Sequence, residues 1–153
     1  QNKICCLNLS LEHFYGPGDS DGKFTSFIIR ELINNVETIR LTQGKQKRDF
    51  IYIADVVSAF ECIIKNINNF KKGSIHELQI GSGENTSIYD FVNLAKEITL
   101  NYNTMLDFGA IPYRENEVME SEVDLKLISS LGWKPKVSLK KGLELTIAGE
   151  LKS

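Results

Sequence analysis

The chain has 153 residues, enough for one domain of ordinary size with a buried core. A hydrophobic fraction of 42% and a charged fraction of 25% are typical of a soluble globular protein, and a net charge of −2 argues against a dedicated nucleic-acid binder. No apolar run could span a membrane and no secretory signal follows Gln1, so we expect a cytoplasmic protein with no membrane or nucleic-acid partner. The cysteines have neither disulfide nor metal-ligand spacing, which predicts reduced core thiols at Cys5, Cys6 and Cys62.

Hydrophobic periodicity and turn residues predict the elements of the first half of the chain. In chain order they are a buried parallel strand at 4–9, a loop at 15–19, a helix at 23–34, a strand at 38–41, a turn at 43–45 and a strand at 50–53. Asp55 then occupies an N-cap or first-turn position of a second helix. The predicted apolar stripe of that helix contains Val56, Val57, Phe60, Ile63 and Ile64.

The second half of the chain continues this alternation. Residues 74–80 alternate like a half-buried strand, and Ser87 is the expected cap of the next helix. Asp124 begins a short helix that Gly132 closes, and the segment 139–151 is amphipathic and expected to be helical.

The mixed order of elements predicts one α/β domain over residues 1–153, with a small mixed sheet and flanking helices. The first strand has no earlier element with which to pair, although parallel strands normally lie inside a sheet. We therefore expect the rest of its sheet to be missing from this chain. An exposed strand of this kind is expected to favour self-association.

Arginine suits a diphosphate because its guanidinium can fork two hydrogen bonds onto a phosphate. Arg48 follows a glycine turn at the mouth of a strand, and Arg114 lies in a loop, where binding residues concentrate. Arg30 and Arg40 lack such a context. Because most arginines are solvated, composition alone favours a surface ion pair for Arg48, with Asp49 or another acid.

His13 lies at the end of the first strand, and open α/β sheets bind ligands at the carboxyl ends of their strands. A ligand hydrogen bond and a structural bond to a neighbouring carbonyl fit this position about equally well. The sequence contains no glycine-rich dinucleotide fingerprint after a strand, no P-loop and no zinc-ligand spacing. The run Gly81-Ser82-Gly83 by itself predicts a tight turn.

Four blocks of the chain, in order, resemble the carboxyl-terminal part of the extended short-chain dehydrogenase/reductases, the NAD-dependent nucleotide-sugar epimerases and dehydratases. They are the Tyr-Gly-Pro-Gly loop in 11–19, the Gly-x-x-x-Arg-Asp-Phe-x-x-x-x-Asp-Val signature in 44–57, the turn and helix start in 80–87, and the closing motif around Leu-Gly-Trp-Lys-Pro in 124–143. Together they span nearly the whole chain. The run Leu-Glu-His-Phe-Tyr-Gly-Pro-Gly is similar to the branch of the CDP-abequose (CDP-3,6-dideoxyhexose) synthases.

The resemblance implies that this chain supplies the last Rossmann-type strand and the substrate-binding part of such an enzyme. It implies that Arg48 and Arg114 contact the diphosphate of a nucleotide sugar, in place of the surface interpretation of Arg48. His13 stands where many members have an asparagine that touches the nucleotide sugar, and Ser10 where many have an arginine. The predicted substrate-binding residues are Arg48, Arg114, His13, Lys23 and Phe24.

The family's catalytic parts come earlier in its members than the strand with which this chain begins. None of the five tyrosines here is followed four residues later by a lysine, as in the family's Tyr-x-x-x-Lys pair. We therefore predict no catalytic, cofactor-binding or metal-binding residue, and no turnover by the chain alone.

For a full-length parent the resemblance implies NAD or NADP, a nucleotide-diphosphate sugar as substrate and a homo-oligomer. Epimerisation, dehydration and reduction all remain open as its reaction. The alternative hypotheses are a stand-alone, non-catalytic nucleotide-binding or assembly module and, last, a structural domain without a ligand.

Overall fold

The computed structural model describes residues 4–152. Their strands are β1 (Cys6–Leu11), β2 (His13–Tyr15), β3 (Thr38–Leu41), β4 (Lys47–Tyr52), β5 (Ile75–Ile80), β6 (Asn85–Ser87) and β7 (Met105–Phe108). Their α-helices are α1 (Phe24–Ile33), α2 (Ile53–Lys65), α3 (Ile88–Ile98), α4 (Lys126–Ser130) and α5 (Leu139–Glu150). The predicted α/β class is confirmed. No helix in this part of the chain has the length and apolar character needed to cross a bilayer.

The strands form three small sheets instead of one. β1 pairs with β5 in parallel, and β3 pairs with β7 in parallel. The third sheet is mixed, because β4 lies between β2, which is parallel to it, and β6, which is antiparallel. Helices flank these sheets, and their apolar sides fill two buried clusters, one centred on α1, α3 and α5 and the other on α2, β5 and α4.

β1 is parallel, as the sequence predicts, but the prediction that it is buried was wrong. Its residues alternate between exposed and half-buried, and Ile4 just before it is 84% exposed. Among the described residues β5 is its only strand partner, so its second edge has no ladder. The expectation of core thiols is also corrected: all three cysteines are free, but Cys6 in β1 is exposed, and Cys5 and Cys62 are only half-buried.

Helix α2 packs on a narrower stripe than the sequence predicts. Its buried apolar residues are Val56, Ala59 and Ile63, which contact the second cluster. The predicted members Val57, Phe60 and Ile64 are instead 53%, 38% and 67% exposed, on the neighbouring side of the helix.

Side-chain oxygens cap helix α3 and hold the segment that precedes α5. Ser87 caps α3 as predicted, since its hydroxyl accepts the N–H of Asp90 at 3.0 Å. Asp55 lies in the first turn of α2, where Tyr52 is the N-cap residue. Its carboxylate accepts the backbone N–H groups of the segment before α5, Lys136 at 3.0 Å and Val137 at 2.9 Å. This acid therefore ties the carboxyl-terminal segment to the middle of the chain.

Candidate functional site

A cavity of about 590 Å³ opens at the carboxyl end of β3, beside β4 and the first residues of β2. All five predicted substrate-binding residues line it. Its lining is Glu12, His13, Phe14, Lys23, Phe24, Thr25, Phe27, Arg40, Leu41, Thr42, Gln46, Arg48, Phe50, Ile88, Ile111, Pro112, Arg114 and Glu117.

Arg48 reaches the cavity from within β4, because this strand begins at Lys47 and not at Phe50 as predicted. Its Nη1 donates to the carbonyl oxygens of Lys47 at 2.7 Å and Val118 at 2.6 Å, and its Nη2 donates to Glu117 Oε1 at 2.5 Å. The side chains of Arg48 and Glu117 are only 14% and 19% exposed. An ion pair with another acid is thus present, but it lies inside the cavity wall and not on an open surface.

Arg114 enters the cavity from the irregular segment after β7. Three hydrogen bonds hold this segment in place: the N–H groups of Gly109 and Ile111 both donate to Leu41 O at 3.0 Å, and the Tyr113 hydroxyl accepts the N–H of Lys45 at 3.0 Å. Within residues 4–152 the guanidinium of Arg114 itself makes no hydrogen bond or ion pair to the protein. Its donors are available to a ligand.

His13 and Lys23 lie at the β2 end of the cavity. The His13 ring packs edge-on against Phe50, with 5.9 Å between centroids, and Lys23 Nζ lies 3.5 Å from the centroid of the Phe14 ring and 3.0 Å from Asp19 Oδ2. Burial and the nearby Arg48 guanidinium lower the pKa of His13, so the imidazole is neutral at physiological pH. A neutral imidazole can both donate and accept a hydrogen bond, which suits a hydroxyl or carbonyl oxygen.

Glu12 brings a carboxyl to the same end of the cavity. Burial raises the pKa of Glu12, the Asp49 carboxylate raises it further, and Arg48 opposes both effects. Its Oε2 lies 4.0 Å from His13 Nδ1. The end of the cavity at β2 therefore carries two titratable groups whose burial disfavours their charged forms.

Asp49 positions the strand that carries Arg48. It is 1% exposed, and its carboxylate accepts the Ser82 N–H at 2.7 Å, the Ser82 hydroxyl at 2.8 Å and the Gly83 N–H at 2.7 Å. A buried carboxylate with three donors is satisfied, and it fastens β4 to the turn after β5. In the Arg-Asp pair of the signature, one residue faces the cavity and the next faces the core.

The lining is cationic overall. Lys23, Arg40, Arg48 and Arg114 contribute four formal positive charges, against two acids, Glu12 and Glu117. Two charges in excess, presented by forked guanidinium groups, match a dianionic diphosphate.

Several lining residues were not predicted from the sequence. Glu117 lies 69 residues from Arg48 along the chain, and no local pattern connects the two. Arg40 was set aside for lack of context, but it lies near the carboxyl end of β3 and lines the cavity. The rule that ligands bind at the carboxyl ends of parallel strands could have identified it, had β3 been recognised as parallel.

The turn at Gly81–Gly83 does not fit a dinucleotide pyrophosphate. Such a turn would need free backbone N–H groups, but those of Ser82 and Gly83 are both taken by the Asp49 carboxylate. We therefore place no dinucleotide pyrophosphate at this turn.

The mixed α/β fold, with its cationic cavity at the carboxyl end of β3, places the chain with the Rossmann-type short-chain dehydrogenase/reductases. Residues 1–81 match the model of the NAD dependent epimerase/dehydratase family, and the chain belongs to this family.

Two relatives and one solved structure show the extent of the match. The chain is 39% identical over 142 residues to a CDP-abequose synthase of Salmonella typhimurium, which covers 92% of this chain and 47% of that protein. It is 32% identical over 123 residues, 80% of this chain and 37% of the other, to a putative UDP-glucose 4-epimerase of Methanocaldococcus jannaschii. A UDP-glucose 4-epimerase of Thermotoga maritima, solved with UDP-glucose, superposes with a TM-score of 0.80 at 28% identity, over 95% of this chain and 46% of that one. The chain thus spans about half the length of the relatives it matches.

Proposed function

We propose that this chain is the nucleotide-sugar-binding portion of an NAD(P)-dependent epimerase, dehydratase or reductase. The observation that carries the proposal is the gathering of Arg48 and Arg114 in one cavity with His13, Lys23 and Phe24. In this arrangement Arg114 offers its donors directly to the diphosphate, and Arg48 exchanges Glu117 for a phosphate oxygen. Its two bonds to main-chain carbonyls keep the guanidinium of Arg48 oriented during that exchange.

The two ends of the cavity differ in what they can bind. Beside β2, His13, Glu12 and Lys23 offer polar groups to the hydroxyl and carbonyl oxygens of a hexose. Beside β3, Leu41, Ile111 and Pro112 provide apolar surface suited to a nucleoside. We therefore propose that the sugar lies toward β1 and β2 and the nucleoside toward β3, with the diphosphate between them.

The proposed nucleotide is cytidine diphosphate. The CDP-abequose synthases of Salmonella typhimurium and Salmonella muenchen are 39% and 36% identical to this chain over 92% of its length, which is higher than the 32% of the UDP-glucose 4-epimerase relative named above. The cationic lining of the cavity can bind the diphosphate of any nucleotide and does not distinguish one base from another. The choice of cytosine therefore rests on these sequence identities.

The remaining parts of the enzyme are proposed to lie in a preceding dinucleotide-binding half. That half would hold the Tyr-x-x-x-Lys pair and NAD or NADP, and the bound cofactor would supply hydride transfer. The second edge of β1, which has no partner strand within residues 4–152, and the exposed side of α2 at Val57, Phe60 and Ile64 provide surfaces on which it could pack. We further propose a cytoplasmic homo-oligomer.

The coding sequence upstream of Gln1 gives the first test. A reading frame that continues back through a Tyr-x-x-x-Lys pair to a glycine-rich loop is the expected result. A stop codon directly upstream, with no such segment encoded nearby, would instead favour the stand-alone binding module.

Titration calorimetry gives the second test, with CDP and a CDP-hexose as ligands. Arg114→Ala should weaken both by about 10- to 100-fold, the value of a hydrogen bond to a charged group. The fold should be unaffected, because this guanidinium has no partner in the described part of the chain. Lys126→Ala is the matched control, since this lysine is 92% exposed and lies outside the cavity. Equal affinities for the Arg114→Ala variant and the wild type would contradict the proposed role.

A further inference from the structure

We propose that Arg40 reads the nucleobase, and that its donor-only guanidinium selects cytosine over uracil and thymine. This inference rests on the proposed function, because it takes the diphosphate to lie at Arg48 and Arg114. It adds a specificity-determining residue at the opposite end of the cavity from the sugar.

The β3 end of the cavity is mostly apolar. Leu41 is the last residue of β3, and Thr42 follows it. Ile111 and Pro112 lie beside them, because the N–H of Ile111 donates to Leu41 O at 3.0 Å. Ile111 is 43% exposed, so its side chain offers free surface to a flat ring. A base placed here would have its faces covered by apolar groups, and its polar edge would need a partner.

The other polar groups at this end are already engaged. The Thr42 hydroxyl accepts the N–H of Gly44 at 3.3 Å and the Gln46 amide at 3.0 Å, and Gln46 is 8% exposed. Leu41 O accepts two backbone N–H groups. These residues shape the wall, but they have little hydrogen-bonding capacity left for a ligand.

Arg40 is different, because most of its donors are unused. Its Nη2 donates to Ala110 O at 3.2 Å, which holds the side chain against the segment before Ile111. In the part of the chain that the structure describes, this is its one side-chain hydrogen bond; Asp107 is its ladder partner on β7, but the two side chains form no ion pair. A guanidinium has five N–H donors and no acceptor, so the remaining donors can bond only to acceptor atoms.

This property distinguishes the pyrimidines. Cytosine presents two adjacent acceptors, N3 and the O2 carbonyl, to which a planar guanidinium can donate two parallel bonds. Uracil and thymine carry a proton on N3, so the same approach would place two donors against each other. A site built for a hydrogen bond rejects a ligand that cannot form it more strongly than an apolar site rejects a change in shape.

The test compares the binding of CDP, UDP and GDP by calorimetry in the 153-residue chain and in three variants. Arg40→Lys keeps the positive charge and loses the fork, Arg48→Lys alters the diphosphate end, and Lys126→Ala is the surface control. The wild type should bind CDP at least about 10-fold more tightly than UDP. Arg40→Lys should bring this ratio to within about threefold and leave the affinity for UDP nearly unchanged. Arg48→Lys should weaken CDP and UDP by the same factor and keep their ratio.

The outcomes separate this inference from the proposed function. If Arg40→Lys keeps the wild-type ratio of CDP to UDP affinity, or if the wild type shows no preference, the role of Arg40 is wrong while the diphosphate site stands. A preference for GDP over CDP would overturn the assignment of cytosine. If none of the three nucleotides binds, or if Arg48→Lys has no effect, the proposed function itself fails.

Discussion

Replacing Asp49 with asparagine tests whether one buried carboxylate holds β4 in place. The change preserves size but replaces one acceptor oxygen with an NH2 group. The Oδ1 position faces two donors from Ser82, whereas the Oδ2 position faces only the Gly83 N–H at 2.7 Å. The amide nitrogen will therefore take the Oδ2 position, where it leaves the Gly83 N–H unsatisfied and confronts it with a second donor.

The magnitude follows from the burial of this site. Asp49 is 1% exposed, so no water can replace the lost acceptor. An unsatisfied buried donor costs about 1–3 kcal/mol, and the two surviving bonds weaken because their acceptor is now neutral. We expect the free energy of unfolding to fall by about 2–4 kcal/mol. For a chain of this length that lowers the Tm by roughly 4–16 °C.

Urea denaturation followed by circular dichroism measures this difference. Ser82→Ala is the control, because it removes the hydroxyl but leaves both backbone N–H bonds to Asp49, and it should cost only about 1 kcal/mol. If Asp49→Asn costs no more than Ser82→Ala, the carboxylate does not fasten the turn and the reasoning is refuted.

Four further predictions follow from other contacts. Because folding lowers the pKa of His13 from 6.5, the unfolded chain binds a proton at His13 more readily than the folded chain does. The free energy of unfolding should therefore fall as pH drops below about 6.5. His13→Gln should reduce this dependence on pH, measured by urea denaturation between about pH 5 and about pH 8. Gly142→Ala should cost about 1–3 kcal/mol in the same assay, because the new methyl would overlap the Tyr15 hydroxyl and the ring carbon that carries it, whereas Gly22→Ala meets no atom within 4 Å and should be nearly neutral. The chain should self-associate through the open edge of β1, so its sedimentation coefficient should exceed that of a 17.3 kDa monomer. Ser10→Lys should restore the monomer, and a monomeric wild type would contradict this prediction. Finally, the chain alone should not reduce added NAD in the presence of a nucleotide sugar; a sugar-dependent rise in absorbance at the wavelength of NADH would show that it carries catalytic groups after all.

The elements predicted well from the sequence are those whose local pattern decides the structure. A few neighbouring residues are enough to predict the Ser87 cap of α3, helix α5 and the parallel strand β1. The three-residue strands β2 and β6 were missed because they are too short to show a period of two.

Burial was harder to predict, because it depends on which elements meet. Helix α2 has two adjacent apolar stripes, and periodicity cannot tell which one faces the core. The packing of Val56 and Ile63 against β5 and α4 decides between them. For β1, a run of apolar residues suggested burial, but burial requires neighbours on both edges and both faces.

Three of the four cations that line the cavity were predicted from the sequence, whereas Arg40 and the acid that pairs with Arg48 were not. The placement of Arg48 and Arg114 was inferred from sequence motifs, and both line one cavity. The carboxylate of Glu117 and the free donors of Arg40 depend on the path of residues 109–120 across β3 and β4, and no local pattern fixes that path. Contacts between distant segments are the part of a site that a single sequence reveals least.

The pairing of β1 with β5 also has a consequence for biosynthesis. Asn8 and Glu77 are partners in this ladder although they lie 69 residues apart in the sequence. The hydrogen bond from the Lys136 N–H to the Asp55 carboxylate joins residues that lie 81 positions apart. Contacts of such long range slow folding, because large loops must close before any core contact rewards them. During synthesis on the ribosome, β1 must therefore remain without β5 until residues 75–80 have left the exit tunnel. Its apolar residues would be substrates for chaperones during that interval, and the speed of translation through the first half of the chain would set how long the interval lasts.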